Sequence, residues 1–329
     1  METIILSTTE EDLKRAGKLL KEGKLVAFPT ETVYGLGANA LDSEACRKVY
    51  LAKGRPSDNP MIVHIADVKS IESLTSDMTD DMKILMDEFW PGPLTMIVNA
   101  KDIIPKVTTG GLPTVAVRMP SNEIARKVIS YSECPIAAPS ANLSGKPSPT
   151  KASHVIDDMN GKIDAIIDGP DSNVGIESTV IDMTVDPPVI LRPGIITKEE
   201  LSVALKKEVE FDPNLLKKPE KDFKPKSPGM KYKHYAPNGK MVLFRGDKDK
   251  VKARILFEEE KAKEEGIKVR SIFFNDDIDA AHDIFKYLRE CDKDGIELIL
   301  MEARDEKGLG FSVMNRMLRS AGYNIIEVK

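Results

Sequence analysis

A proline- and lysine-rich segment, residues 211–240, divides the chain into two folding units. It reads FDPNLLKKPEKDFKPKSPGMKYKHYAPNGK and follows neither the 3.6-residue period of a helix nor the alternation of a strand. It carries eight Lys or Arg and three Asp or Glu residues, whereas the whole chain has a net charge of −5. This composition is typical of an extended, solvated connector. We therefore predict three parts: a domain over 1–210, a basic linker over 211–240 and a second domain over 241–329.

The second domain shows a regular alternation of apolar runs and amphipathic segments. The runs MVLF, VRSIFF, LILM and IIEV alternate with helical patterns at 247–265, 277–291 and 310–321. Such a series, with a helix crossing over between successive strands, predicts a small parallel-sheet, Rossmann-like α/β domain.

The first domain mixes strand and helix patterns less regularly. Strands are predicted at 25–28, 61–65, 94–98, 114–119, 136–138, 164–168, 178–183 and 189–191. Helices are predicted at 9–22, 43–53, 79–89, 122–131, 150–158 and 198–207. Because strands and helices do not alternate evenly, we expect a twisted mixed sheet with helices rather than a purely parallel one.

The composition argues against several classes of protein. No apolar run approaches the ~20 residues that a membrane-spanning helix needs, and the N-terminal segment lacks the pattern of a secretory signal. The three cysteines are scattered and odd in number, which favours a cytoplasmic protein. With four scattered histidines, we expect no dedicated metal site built by the protein.

Residues 28–40, FPTETVYGLGANA, fit the glycine pattern of dinucleotide-binding folds only formally. In those folds the glycines follow a strand directly and open a helix, but here six residues separate Phe28 from Gly35 and no helix follows at once. A nicotinamide or flavin site is therefore disfavoured. We interpret the stretch as a loop whose Thr30 and Thr32 hydroxyls line a polar pocket; a tight glycine turn is the alternative.

Four cations stand at the ends of predicted elements in separate parts of the chain. Lys53 and Arg55 occupy a helix exit stiffened by two prolines, and Arg118 and Arg192 each close an apolar strand just before a proline. Arginine offers a planar fork to phosphate or carboxylate, and lysine offers a point charge. Each residue alone also fits an ordinary surface position. Together they predict a basic concave cleft.

Small polar turns and one histidine complete the candidate site. His64 lies in the apolar strand MIVHI, where a core role and a ligand-binding role both remain open. AAPSANLSG at 137–145 and GIEST at 175–179 supply neutral donors and acceptors, with turn formation and helix capping as the alternatives. The sequence has no Walker A, nucleophile-elbow or kinase signature. Any phosphate would therefore be held by side-chain cations and short polar turns.

These motifs together resemble the threonylcarbamoyl-AMP synthase, or YrdC-like, family in its long two-domain form. The matching segments are PTETVYGLG, KGRP with DNPMIVHI, WPGPLT, VRMP, APSAN, ESTV and LRPG, followed by SPGMKYKHYAP and GLGFSVMNRMLRSA. The resemblance covers nearly the whole chain and implies that 1–210 is a YrdC-like catalytic domain. It also implies a reaction in which L-threonine, bicarbonate and ATP give threonylcarbamoyl-AMP and pyrophosphate. A downstream complex would use the product to modify tRNA next to the anticodon.

The resemblance further implies a role for individual residues. Lys53 and Arg55 would be catalytic, with Lys53 stabilising charge at the reacting phosphate or carbamate. The threonine-binding residues would be Thr32, His64, Arg118, Ala138 and Ser178. The ATP-binding residues would be Arg55, Asn59, Thr114, Ser140, Asn142, Ser148, Arg192, Tyr232, His234 and Tyr235. Mg²⁺ would arrive with ATP and need few protein ligands.

The linker then becomes a candidate lid. We hypothesise that SPGMKYKHYAP folds over the cleft and excludes water from a hydrolysable adenylate. A simple spacer is the alternative.

Three other functions remain open on the sequence. A non-catalytic module that binds double-stranded RNA or tRNA is disfavoured because residues 1–210 contain 23 basic and 31 acidic side chains, although a weak tRNA contact stays possible. A carbamoyl-phosphate-dependent maturation factor would carry zinc-type cysteine clusters, which this sequence lacks. A nicotinamide oxidoreductase is disfavoured by the glycine spacing.

Overall fold

The computed structural model describes residues 2–57, 59–216 and 234–329. These residues form a large mixed sheet and a smaller parallel sheet, each packed against helices. The predicted fold class is confirmed. Most of the basic linker, including Tyr232, lies outside the described residues, so the lid hypothesis stays a prediction for that segment.

The first domain contains most of the strands. They are β1 (Ile4–Leu6), β2 (Val26–Phe28), β3 (Gly35–Asn39), β4 (Ile62–His64), β5 (Leu94–Asn99), β6 (Thr114–Arg118), β7 (Ile136–Ala137), β8 (Ala165–Ile167), β9 (Thr179–Asp182), β10 (Val189–Arg192) and β11 (Glu210–Phe211). The helices are α1 (Glu10–Lys21), α2 (Ser43–Lys53), a 3-10 helix (Val68–Ser73), α3 (Asp80–Phe89), α4 (Lys106–Thr109), α5 (Glu123–Ser132), α6 (Ala152–Met159) and α7 (Lys198–Leu205).

Among the described residues, these strands form one 11-stranded sheet in the order β1-β8-β2-β3-β7-β4-β6-β5-β9-β10-β11. Parallel pairs such as β4 with β6 occur beside antiparallel pairs such as β5 with β6, so the sheet is mixed. Its last strand, β11, extends one residue past the predicted end of the first domain at residue 210.

The prediction that residues 28–40 form a loop is wrong for residues 35–39, which form β3. The alternative prediction, a tight glycine turn, is also wrong for these residues. β3 runs antiparallel to β2, with Gly37 opposite Val26 and Gly35 opposite Phe28. A Cβ atom on Gly37 would lie 2.7 Å from Cε1 of Phe28, so this glycine makes room for a core ring. Thr30 and Thr32 remain in the connection between β2 and β3.

Helix α2 and its exit position two of the predicted cations, Lys53 and Arg55. Asp42 caps its start by accepting the N–H groups of Glu44 and Ala45. Gly54 ends the helix with φ of 62°, a left-handed conformation that favours glycine. Lys53 therefore closes the last turn and Arg55 begins the proline-stiffened exit, as the sequence predicts.

The second domain contains β12 (Lys240–Gly246), α8 (Lys248–Glu264), β13 (Val269–Ile272), α9 (Asp277–Lys293), β14 (Leu298–Glu302), α10 (Gly308–Ser320) and β15 (Ile325–Val328). Its strands form a sheet in the order β13-β14-β12-β15, and every pair is parallel. This confirms the predicted parallel sheet. In the part of the chain that the structure describes, no helix is long and apolar enough to cross a membrane.

The two domains share a buried core where α9 and α10 meet the first domain. Val33 and Ile176 of the first domain belong to the same apolar cluster as Phe285 and Met314. Gly175 allows this close approach, because a Cβ atom there would lie 2.2 Å from the backbone oxygen of His282. The second domain therefore forms a fixed part of the surroundings of the cleft.

Candidate active site

A cavity open to solvent lies beside the ends of β4, β6 and β10. His64 and Arg118 are direct register partners at the carboxyl ends of two parallel strands, so both side chains reach the same edge of the sheet. The cavity is lined by Thr30, Thr32, Val33, Gly35, Arg55, Ile62, His64, Arg118, Ala138, Pro139, Ser140, Asn142, Ser148, Glu177, Arg192, His234 and Tyr235.

Most of the predicted site residues lie in this lining. Those that line it are Thr32, Arg55, His64, Arg118, Ala138, Ser140, Asn142, Ser148, Arg192, His234 and Tyr235. Other predicted residues do not contribute to the cavity surface: Lys53, Asn59, Thr114 and Ser178. Tyr232 lies outside the described residues.

Arg118 is held by three acceptors in the cavity wall. Its guanidinium donates to Oε1 of Glu31 at 2.6 Å, to Oγ1 of Thr32 at 2.9 Å and to the Gly92 carbonyl at 3.3 Å. Burial alone would raise the pKa of Glu31, but the charge and hydrogen bond of Arg118 outweigh it, so the pKa is lowered. The pair is therefore ionised, and Arg118 has a defined orientation.

His64 is a neutral imidazole. Burial, together with the positive charge of Arg118, lowers its pKa to about 3. Its Nδ1 lies 3.2 Å from the Ile62 carbonyl oxygen. His64 can therefore contribute hydrogen bonding, but it does not carry a positive charge at neutral pH.

Arg192 and Ser178 form a second buried group. Arg192 donates to the backbone oxygen of Ser178 and to its hydroxyl, each at 3.0 Å, and that hydroxyl lies 2.7 Å from Oγ1 of Thr95. Burial lowers the pKa of Arg192 to about 10 despite the nearby Glu177 carboxylate. Ser178 thus orients Arg192 from behind the cavity surface.

Glu177 is an acidic member of the lining. It accepts a hydrogen bond from the Ser148 hydroxyl at 2.5 Å, and its other carboxylate oxygen lies 3.2 Å from Nε of Arg316, a residue of α10. Burial alone would raise the pKa of Glu177, but Arg316 and Arg192 outweigh this effect and the pKa is lowered. The sequence alone assigns no role to Glu177 or Glu31, although each is an acidic residue inside an otherwise small, polar motif.

Lys53 lies behind the cavity wall rather than in it. Its ammonium group donates to the backbone oxygens of Ser140 and Asn142, the latter at 2.7 Å. Burial, together with the charge of Arg55, lowers its pKa well below the usual value for lysine. Arg55 faces the cavity and donates to the carbonyl of Asn59 at 3.1 Å.

The end of the linker reaches the cavity through His234 and Tyr235. Burial and the charge of Arg55 lower the pKa of His234 well below its usual value, so this imidazole is neutral. Tyr235 has a φ of 60° and its ring packs 4.9 Å from that of Phe285. A non-glycine residue in the left-handed region is uncommon and needs surrounding contacts to hold it.

The arrangement suits the binding of anions. Three arginines line one cavity, two of them are oriented by buried partners, and the serine, threonine and asparagine side chains add neutral hydrogen-bonding groups. Among the described lining residues, the Ser148 hydroxyl bonds the Glu177 carboxylate, but the lowered pKa of Glu177 makes this carboxylate a weak general base. Among the described residues there is also no group of three or more His, Cys, Asp or Glu side chains that could hold a metal ion.

The comparisons with known proteins identify the family. Residues 18–194 match the family model Sua5_yciO_yrdC, described as telomere recombination, and residues 196–322 match the C-terminal domain of threonylcarbamoyl-AMP synthase. The chain belongs to the threonylcarbamoyl-AMP synthase family. The threonylcarbamoyl-AMP synthase of Pyrococcus abyssi is 48% identical over 99% of this chain and 100% of the relative. That of Bacillus subtilis is 42% identical over 98% of this chain and 96% of the relative.

Solved structures agree with this membership in the threonylcarbamoyl-AMP synthase family. The crystal structure of P. abyssi Sua5 complexed with L-threonine has a TM-score of 0.95 and 47% identity, covering 99% of this chain and 100% of that one. Escherichia coli YciO, at 22% identity and a TM-score of 0.53, covers 59% of this chain and 97% of its own length. YciO therefore supports only the fold of the first domain.

Proposed function

We propose that this chain is a nucleotidyltransferase that makes threonylcarbamoyl-AMP from L-threonine, bicarbonate and ATP and releases pyrophosphate. The observation that carries the proposal is the convergence of Arg55, Arg118 and Arg192 on one cavity. This convergence occurs in a chain that is similar over its whole length to threonylcarbamoyl-AMP synthases.

Threonine would occupy the end of the cavity near Arg118. The oriented guanidinium would bind the threonine carboxylate, because arginine matches the planar geometry of a carboxylate. Thr32 and the neutral His64 would contact the polar groups of the substrate, with Ala138 and Ser178 beside them. Selection against serine depends on a single methyl group, which is worth only ~1–3 kcal/mol.

ATP would occupy the side of the cavity formed by neutral polar turns and the other two arginines. Arg55 and Arg192 would balance the triphosphate charge, and Ser140, Asn142 and Ser148 would donate or accept hydrogen bonds. Asn59 and Thr114 do not line the cavity, and they would act on ATP only after a local adjustment. Mg²⁺ would arrive bound to the phosphates of ATP.

The chemistry requires positioning more than proton transfer. Threonine and bicarbonate condense to a carbamate, in which the new N–C bond replaces a C–O bond of bicarbonate and water and a proton are released. A carbamate oxygen then attacks the α-phosphorus of ATP while the bond to pyrophosphate breaks. The nucleophile is already charged, so no strong base is needed. The arginines reduce the repulsion between the carbamate, the carboxylate and the triphosphate. Lys53 would add positive charge near the reacting groups, because an incoming triphosphate favours its protonated form.

The linker would protect the product. His234 and Tyr235 line the cavity, and we propose that the segment before them, with Tyr232, covers the adenylate and excludes water. We also propose that the chain works in the cytoplasm, where its free cysteines would stay reduced, and that a tRNA-modifying complex receives the product.

The deciding experiment measures pyrophosphate release from ATP with threonine and bicarbonate each omitted in turn. The proposal requires that release depends on both substrates. Steeply salt-dependent binding of RNA without any pyrophosphate release would instead favour the non-catalytic RNA-binding alternative.

A further inference from the structure

Residues 140–148, here called the 140–148 loop, form much of the proposed nucleotide side of the cavity. Ser140, Asn142 and Ser148 line the cavity directly. The loop sequence SANLSGKPS is small and polar. Ala141 is buried in the core of the first domain and Leu143 packs against that core, but most of the rest of the loop is polar and depends on hydrogen bonds from its surroundings.

Arg289 of α9 ties the second half of this loop to the second domain. Its guanidinium donates to the Pro147 carbonyl from two nitrogens, at 2.7 and 3.1 Å. The same guanidinium lies 2.8 Å from the Asp158 carboxylate, which is fully buried. Asp158 also accepts the backbone N–H of Leu143 at 3.3 Å and the ammonium group of Lys146 at 3.0 Å.

Arg316 of α10 acts on the end of the loop through one intermediary. Its side chain is fully buried, with Nε 3.2 Å from the Glu177 carboxylate. It also donates to the Pro193 carbonyl, next to Arg192. The second carboxylate oxygen of Glu177 accepts the hydroxyl hydrogen of Ser148. Arg316 therefore fixes Glu177, and Glu177 fixes Ser148.

A third tie joins the middle of the loop to the chain after the linker. The backbone N–H of Ala236 donates to the Gly145 carbonyl at 2.9 Å. Groups that follow the first domain in sequence thus hold the loop directly at Gly145 and Pro147, and they act on Ser148 through Glu177. Two arginines of the second domain thus bind two buried acids, Asp158 and Glu177, and both acids bind the 140–148 loop. A contact that only joined the two domains would not require this arrangement.

We propose that Arg289 and Arg316 are positioning residues that hold the 140–148 loop in its ATP-binding shape, so that the second domain completes the nucleotide site of the first. The inference rests on the proposed function, because it assumes that this loop binds ATP. Neither arginine lines the cavity, so both act through other residues: Arg289 through Pro147 and Asp158, and Arg316 through Glu177.

The first test compares full-length Arg289→Met and Arg289→Lys variants with the unmodified chain by calorimetric titration with ATP and, separately, with L-threonine. Lysine can still pair with Asp158, but without a planar fork it cannot also hold Pro147 in the same way. We expect Arg289→Met to raise the Kd for ATP by about 10- to 100-fold and to leave the Kd for threonine unchanged. Arg289→Lys should recover the thermal stability but not the ATP affinity. Full recovery of ATP affinity by lysine would overturn the inference for Arg289.

A matched control is available on α10. Asn315 is buried beside Arg316 and donates to the Leu215 carbonyl at 2.7 Å, a contact that does not involve the loop. Asn315→Ala should lower stability and leave the Kd for ATP unchanged. If it weakened ATP binding as much as the arginine variants do, general loosening of the domain interface would be the cause and the inference would fail.

The second test removes the Arg316 pair as a unit. Arg316→Met alone leaves a buried carboxylate without its partner and can unfold the chain, so it is combined with Glu177→Gln. We expect the folded double variant to bind ATP about tenfold or more weakly than the unmodified chain. Adding the double substitution to Ser148→Ala should raise the Kd for ATP little further, because both changes act on the same hydroxyl. An unaltered Kd for ATP in the folded double variant would overturn the role of Arg316.

The outcomes separate the two proposals. An unmodified chain that releases no pyrophosphate with threonine and bicarbonate would refute the proposed function. An active unmodified chain, with unaltered ATP affinity in both sets of variants, would refute only the role assigned to the second domain.

Discussion

The Glu31 carboxylate lies 2.6 Å from the Arg118 guanidinium, and both side chains are almost completely excluded from solvent. Two further N–H groups of Arg118 donate to Thr32 and Gly92. A guanidinium fixed by three acceptors loses little freedom when it binds a ligand. The proposed threonine site therefore depends on the forked shape of Arg118 as well as on its charge.

Arg118→Lys should weaken threonine use selectively. The variant keeps one positive charge but loses the fork, and a hydrogen bond to a charged group is worth about 1.5–3 kcal/mol, so we expect the KM for threonine to rise about 10- to 100-fold. The KM for ATP should change much less. Steady-state pyrophosphate release measures both constants. Lys127→Ala, which removes an exposed pair with Glu10, serves as the control and should have no effect.

His64 should make stability depend on pH below about 6.5. Its pKa is about 3 in the folded chain and ~6.5 when unfolded, so between these values only the unfolded chain binds this proton. Stability is therefore fully present above pH 6.5 and falls as the pH is lowered toward 3. From pH 6.5 to 5 the loss due to His64 is about 2 kcal/mol.

Urea unfolding at pH 5 and 7.5 measures this effect. His64→Asn should show a smaller difference between the two pH values than the unmodified chain. His154 and His234, whose pKa values are also lowered by burial, contribute equally to both proteins. Equal differences in the two proteins would show that His64 is not held neutral by the fold.

Arg55 and Lys53 should respond differently to removal. Arg55 is only partly buried, so Arg55→Ala should reduce kcat/KM for ATP by about tenfold or more while the thermal midpoint stays the same. Lys53→Met leaves two backbone oxygens without their donor and should cost about 1–3 kcal/mol of stability as well as activity. Thermal unfolding and pyrophosphate release separate the two effects. A Lys53→Met chain of full stability would contradict the buried geometry.

Chelation of metal ions should stop the reaction without loosening the fold. Excess EDTA should abolish pyrophosphate release, and added Mg²⁺ should restore it, because the ion arrives with ATP. Without ATP, EDTA should leave the thermal midpoint unchanged, since the described residues hold no cluster of metal-binding side chains. A lower midpoint in EDTA would reveal a structural metal ion and refute this expectation.

His234→Ala tests the proposed lid with little damage to the core. His234 faces the cavity and its Nε2 has no hydrogen-bond partner among the described residues, whereas Tyr235 also packs against Phe285. We expect more free AMP for each pyrophosphate released, because water reaches the adenylate. The control is Lys240→Ala at the exposed start of β12. An unchanged ratio of AMP to pyrophosphate would argue against a lid that includes His234.

Much of the fold could be predicted because its elements are encoded locally. The alternation of apolar runs and helical patterns after residue 240 corresponds to β12 through β15 with their crossover helices. Strand β3 was missed because Gly35 and Gly37 give no strand signal; the ring of Phe28, which requires a glycine at position 37, becomes visible only when β2 and β3 are paired.

The sequence by itself determined the mixed and parallel sheets, the cations at element ends and the small polar turns, because periodicity and capping act over a few neighbouring residues. Only the tertiary structure decided which acid pairs with each arginine, including Arg289 and Arg316 inside α9 and α10. Glu31 lies 87 residues from Arg118, Asp158 lies 131 from Arg289, and Glu177 lies 139 from Arg316. Contacts at such separations form when strands from distant parts of the chain meet at one sheet edge and when α9 and α10 pack against the first domain. No local sequence pattern predicts which acid will pair with which arginine.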